Sequence, residues 1–137
     1  MIIFQKGQIE YMLQHCLNGL PNESCGLLGG TIDGENKVIH KIYLLRNLDA
    51  SPEHFSIDPS EQFSVIADLR KNAWKLIGNF HSHPNSPSRP SDEDKRLAFD
   101  SKLSYLILSL QDCDNPVLNC FLIKGEDVFV EDYIVVE

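Results

Sequence analysis

No Cys-x-x-Cys pair occurs in this sequence, whose four cysteines stand apart at positions 16, 25, 113 and 120. That removes the spacing by which thiolates build a structural zinc ribbon; reduced, buried thiols are expected instead. No apolar run approaches the roughly 20 residues of a membrane-spanning helix. The start, Met1-Ile2-Ile3-Phe4-Gln5-Lys6, lacks a basic segment followed by an apolar stretch and a cleavage site. A cytoplasmic protein with no membrane partner is therefore expected. Nor is there a basic stripe. Lys and Arg total 12 against 20 Asp and Glu, a formal charge of −8. This argues against nucleic acid as a partner and is mainly a statement about solubility. There is no repeat, low-complexity tract or linker. With 42% hydrophobic and 23% charged residues, residues 1–137 are expected to form one domain around one core.

The hydrophobic pattern alternates between strand and helix periods. After a short apolar start at residues 2–4, Ile9, Met12, Leu13, Cys16 and Leu17 recur at helical spacing. Asn18-Gly19 and Pro21 end that helix. Residues 23–30, Glu-Ser-Cys-Gly-Leu-Leu-Gly-Gly, read as a strand whose glycines admit close backbone approach. Asp33-Gly34 marks a turn, and residues 37–45 read as the partner strand. Residues 48–59 are irregular, with room for a short strand at 55–57. Asp58-Pro59 opens a helix to about Asn72, with Phe63, Ile66 and Ala67 on its apolar side and Val65 and Leu69 as further members. Residues 75–80 form an apolar strand. Ser91 caps a helix to about Phe99. Strands follow at 105–110, 117–123 and 128–136, the last with a break near Glu131-Asp132. The predicted class is α+β, a mixed sheet with three helices against it.

Residues 81–94 carry the chemistry: His-Ser-His-Pro-Asn-Ser-Pro-Ser-Arg-Pro-Ser-Asp-Glu-Asp. Alternate residues of a strand share a face, so His81 and His83 can aim at one point. A Pro-rich loop can return Asp94 to that point. Two imidazoles, one carboxylate and an open position are what a catalytic zinc needs. A lone buried histidine is usually a core residue, but desolvating two imidazoles together is costly unless something uses their lone pairs. Ser91-Asp92-Glu93-Asp94 also reads as a capping box with acidic residues suited to the helix dipole. Both readings of Asp94 are compatible. Glu23 is the upstream candidate for a general base, although a strand-edge glutamate is the simpler reading of it alone. Ser91 could donate to a developing oxyanion beyond its capping role. Cys25 shares the face of Glu23, and a buried small residue outweighs a thiol nucleophile there.

Together, Glu23, His81, His83, Pro84, Ser91 and Asp94 resemble the JAMM (MPN+) metalloprotease signature: an upstream Glu, His-x-His-Pro, six residues, Ser, two residues, Asp. Residues 23–29, the stretch from Asn47 through Pro59, and Ser109-Leu110 are similar to flanking parts of that family. The resemblance implies the MPN fold, a layered α/β/α arrangement with a curved mixed sheet, similar to cytidine deaminases. It implies one zinc ion bound by His81, His83 and Asp94 with water as fourth ligand, Glu23 as general base and proton shuttle, and Ser91 stabilising the tetrahedral intermediate. The implied substrate is a peptide or isopeptide bond at the C-terminus of a ubiquitin-like protein. At this length there is little room for ubiquitin-gripping insertions. That points to the stand-alone prokaryotic branch, linked to small sulfur carriers ending in Gly-Gly, whose tail could add to a strand edge beside the metal. The main alternative is a non-catalytic MPN scaffold that only binds partners. Amidohydrolases need a barrel of roughly 250 residues. Zinc deaminases need His-x-Glu with Pro-Cys-x-x-Cys, and this sequence has neither.

Overall fold

The computed structural model describes residues 1–98 and 100–137. In chain order the elements are β1 (Ile2–Gln5), α1 (Gln8–Gly19), β2 (Cys25–Asp33), β3 (Asn36–Leu45), α2 (Pro59–Lys71), β4 (Lys75–His83), α3 (Asp92–Leu97), β5 (Ser104–Ser109), β6 (Val117–Lys124), β7 (Asp127–Glu131) and β8 (Tyr133–Val136). Both tight hairpins, β2–β3 and β6–β7, turn on two residues that begin with a glycine at φ +62°, Gly34 and Gly125. That is the conformation two-residue hairpin loops demand. Among the described residues, no helix is long and apolar enough to cross a membrane.

Among the described residues, eight strands form one sheet in the order β7-β6-β5-β4-β2-β3-β1-β8. The pairs β4–β5, β1–β3 and β1–β8 are parallel, and the others are antiparallel. β7 and β8 are consecutive in sequence, separated by Asp132, yet lie at opposite edges. The sheet must therefore curl until those edges approach. Three contacts mark the seam. Tyr133 meets Phe4 edge-on with ring centroids 5.7 Å apart. Ile2 N donates to Asp132 O at 2.9 Å. Lys37, Ser104 and Glu131 form a partly buried polar cluster across β3, β5 and β7, with Lys37 Nζ 3.1 Å from Glu131 Oε2.

Curling gives the two faces different tasks. The concave side gathers Ile2, Phe4, Ile39, Leu106 and Cys120 from distant strands around Met12 and Cys16 of α1. On the convex side, α2 covers Cys25, Leu27, Tyr43 and Leu45. Ala98, just past α3, packs on Tyr105, Ile107, Phe121 and Ile123. The result is the expected α/β/α layering. Two expectations need correction. α2 faces the sheet with Val65 and Leu69, at 4% and 5% exposure, whereas Phe63 and Ile66 are 74% and 38% exposed. Both sets satisfy the helical period, and the sheet selects the pair that fits beside Tyr43 and Leu27. The β2 ladder begins at Cys25 rather than Glu23; the Glu23 N–H is taken by Ser51 O at 2.8 Å. The predicted limit of α3 at Phe99 lies outside the described residues, and α3 ends at Leu97.

The β4–β5 junction positions the histidines. Parallel neighbours cannot be joined by a hairpin and need a crossover, so the chain leaving His83 returns over the sheet through α3. Gly78 pairs with Ser104 at the start of that junction, and a Cβ there would run into the Ser104 carbonyl. Gly78→Ala is expected to lower stability by about 1–3 kcal/mol, the usual cost of overpacking. Denaturant unfolding checks this, and a midpoint equal to wild type would show that the strands part freely.

Candidate metal centre

His81 and His83 end β4, both buried, and turn their Nε2 atoms to the same point. The following loop is pinned by short bonds to the next strands. Ser109 Oγ donates to Ser86 O and Ser88 Oγ to Ile107 O, both at 2.6 Å, and Asn119 Nδ2 donates to Ser88 O at 3.1 Å. The loop delivers Ser91 to the start of α3, where the capping box forms in full. Asp94 N donates to Ser91 Oγ at 3.0 Å, and Ser91 N donates to Asp94 Oδ2 at 2.9 Å. The cap fixes the Asp94 rotamer, and that rotamer faces the histidines.

The three donor atoms form a nearly equilateral triangle. His81 Nε2 and His83 Nε2 are 3.1 Å apart, and Asp94 Oδ2 is 3.2 Å from the first and 3.1 Å from the second. His83 Nδ1 lies 2.9 Å from Pro87 O. A carbonyl only accepts, so Nδ1 carries the proton and the neutral ring turns the Nε2 lone pair into the triangle. Such a donation behind a ligand is the usual support of a metal-bound histidine. Tetrahedral zinc with bonds of about 2.0–2.1 Å sets its ligands roughly 3.3 Å apart. The donor types and their spacing therefore fit zinc.

Titration behaviour agrees. Burial alone would raise Asp94, but hydrogen bonds from His81 and His83 overcome it and hold the carboxyl well below the usual range. Burial would lower His83, yet Asp94 and the Pro87 carbonyl raise it. The cluster attracts positive charge, for which protons and a metal ion compete. Burial pushes Glu23 up from about 4.5 to about 7, with His83 opposing the rise and Asp94 adding to it. Burial likewise pushes the Cys25 thiol up to about 12, so it is no thiolate nucleophile.

Glu23, His83 and Ser91 line one cavity of about 330 Å³, together with Glu53 and Ser86. Sequence reasoning missed the supports of this arrangement. Asn47 Nδ2 donates to Glu23 O at 2.9 Å and His54 O at 2.8 Å, while its Oδ1 accepts from Asp49 and Ser56. Phe55, on the same loop, stacks on the His81 ring at 4.8 Å. Glu93, expected only as a dipole partner, also pairs with His54 at 2.6 Å and ties that loop to α3.

Residues 5–123 match the family of prokaryotic homologs of the JAB domain. The chain is 25% identical over 137 residues to the CysO-cysteine peptidase of Mycobacterium tuberculosis, spanning 100% of this chain and 92% of that one. It is 30% identical over 105 residues to the desampylase of Haloferax volcanii, covering 73% and 74%. The solution structure of a Desulfitobacterium hafniense protein superposes with a TM-score of 0.92 at 55% identity, covering 100% and 94%. A JAB1/MPN domain protein of Archaeoglobus fulgidus superposes at 0.64 with 26% identity over the whole of both chains. The chain belongs to the family of prokaryotic homologs of the JAB domain, and its curled mixed sheet is the MPN fold.

Proposed function

We propose that this protein is a zinc-dependent peptidase or isopeptidase. It hydrolyses the bond at the C-terminus of a ubiquitin-like protein, a small sulfur carrier ending in Gly-Gly, in the cytoplasm. The observation that carries this reading is one cavity bounded by Glu23, His83 and Ser91 beside the three-donor triangle. Names of the relatives, CysO-cysteine peptidase and desampylase, support the reaction and the kind of substrate. Glycine residues, lacking side chains, suit a narrow approach to buried groups.

His81 Nε2, His83 Nε2 and Asp94 Oδ2 would hold one zinc ion, leaving the fourth position to water. Zinc bound there supplies Lewis acidity that brings a bound water's pKa to about 7. Glu23 is buried against the same cavity, and its carboxyl group, raised to about 7, can both take and release a proton near neutrality. It takes one from the attacking water and gives it to the leaving amine. Ser91 Oγ already accepts from Asp94 N, so its own proton is free for the carbonyl oxygen as charge develops there. Pro87 orients His83, and Phe55 holds the His81 ring. A non-catalytic scaffold would leave these convergent groups without a use.

Sulfur-carrier C-terminal fusions, incubated with the zinc-loaded enzyme and read by mass, should be cut after the terminal glycine. Chelator should abolish cleavage. A panel of carriers left intact by metal-loaded enzyme would remove the substrate assignment.

Glu23→Gln should keep the zinc and the fold and lose at least about 10²-fold in turnover. Near-normal turnover would take the proton shuttle away from Glu23.

The same variant tests the raised pKa in the zinc-free protein. A carboxyl raised on folding contributes its stability fully below about 4.5 and loses it as pH rises through about 7. Zinc-free Glu23→Gln should therefore gain melting temperature over wild type above pH 7, with the gap closing toward pH 4.5. A gap that is constant with pH would show an unperturbed carboxyl.

A further inference from the structure

One buried group at the centre is not accounted for by the donor triangle. Nδ1 of His81 has no hydrogen-bond partner among the described residues. With Nε2 turned to the triangle, Nδ1 is the atom that carries the ring proton when a metal is held. A buried N–H without an acceptor is costly, and metal-binding histidines almost always give that proton to one. His83 has the Pro87 carbonyl at 2.9 Å. His81 instead borders a second cavity, of about 60 Å³, whose walls include Phe55, Asn79, Leu97, Tyr105 and Ile107, with Asp94 turned through Oδ2 to the Nε2 atoms.

Asn79 is out of place on those walls. It lies two residues before His81, on the same face of β4. Its cross-strand neighbours there are Leu27 and Tyr105. The Tyr105 hydroxyl donates its proton to Asp100 O at 2.9 Å. Asn79 is half-buried, and its carboxamide has an oxygen that can accept a hydrogen bond. Two groups thus open onto one space, a donor on His81 and a carboxamide acceptor on Asn79.

We propose that Asn79 is a positioning residue for the metal: its carboxamide oxygen accepts the Nδ1–H of His81 through one water in this cavity. The inference rests on the zinc reading above. Alternate strand residues stand about 6.6 Å apart, and one bridging water spans about 5.6 Å with two ordinary hydrogen bonds. One water needs only ~10–15 Å³, so the cavity has room. The bridge keeps the proton on Nδ1, turns the Nε2 lone pair to the triangle and raises its basicity.

Zinc affinity, measured by competition with a chelating dye, tests the bridge together with the His81 Nδ1–H resonance of the zinc-loaded protein. Asn79→Leu keeps the branched shape and removes the acceptor. It should weaken zinc binding by about 10–100-fold and speed exchange of the Nδ1–H proton, without lowering the zinc-free melting temperature. Asn79→Asp keeps an acceptor and should bind zinc at least as tightly as wild type. Equal affinity in wild type and Asn79→Leu would overturn the inference and leave the zinc reading standing. So would Asn79→Asp binding as weakly as Asn79→Leu. A wild type that takes up no zinc would overturn the zinc reading itself.

Discussion

Three electron-rich atoms held 3.1–3.2 Å apart cannot rest together without positive charge among them. Much of the convex face serves to keep them there. The parallel β4–β5 pairing forces the chain to cross back over the histidines. Ser109, Ser88 and Asn119 hold the crossing loop to β5 and β6. The cap of α3 then fixes the carboxylate. One short helix start therefore ends a loop, begins a helix and completes a ligand set.

The surroundings of that cluster are asymmetric. On one side are polar groups, Glu23 and Ser91. On the other is a mostly apolar backing of Phe55, Leu97 and Ile107, interrupted by Asn79. Low polarity behind the histidines strengthens every charge interaction in front of them. Burial also keeps the Glu23 carboxyl near neutrality in its titration, where an exposed glutamate would be a weaker base.

The legible parts of the site were local in sequence. The two-residue period of a strand pairs His81 with His83, and the three-residue spacing of a cap joins Ser91 to Asp94. Glu23 owes its place to the β2–β4 pairing, in which Cys25 stands opposite His81; family resemblance pointed to it where spacing could not. Asn47 and Phe55 act on partners more than twenty residues away, with no periodic signal to betray them. In α2 the pattern held two apolar stripes, and only the sheet beneath decided between them. A break near Asp132 was visible as well. That its two sides belong to opposite edges of one sheet is a property of the whole fold.

The pairing of β1 with β8 has a consequence for the order in which the molecule folds. Residues 2–5 and 133–136 form adjacent parallel strands, so this pair forms only once segments more than a hundred residues apart in the chain have met. Until then β1 has an open edge, and Phe4 lacks the Tyr133 ring that packs against it. Contacts this distant in sequence slow folding. The seam is therefore expected to close late in folding, with the β2–β3 and β6–β7 hairpins already in register.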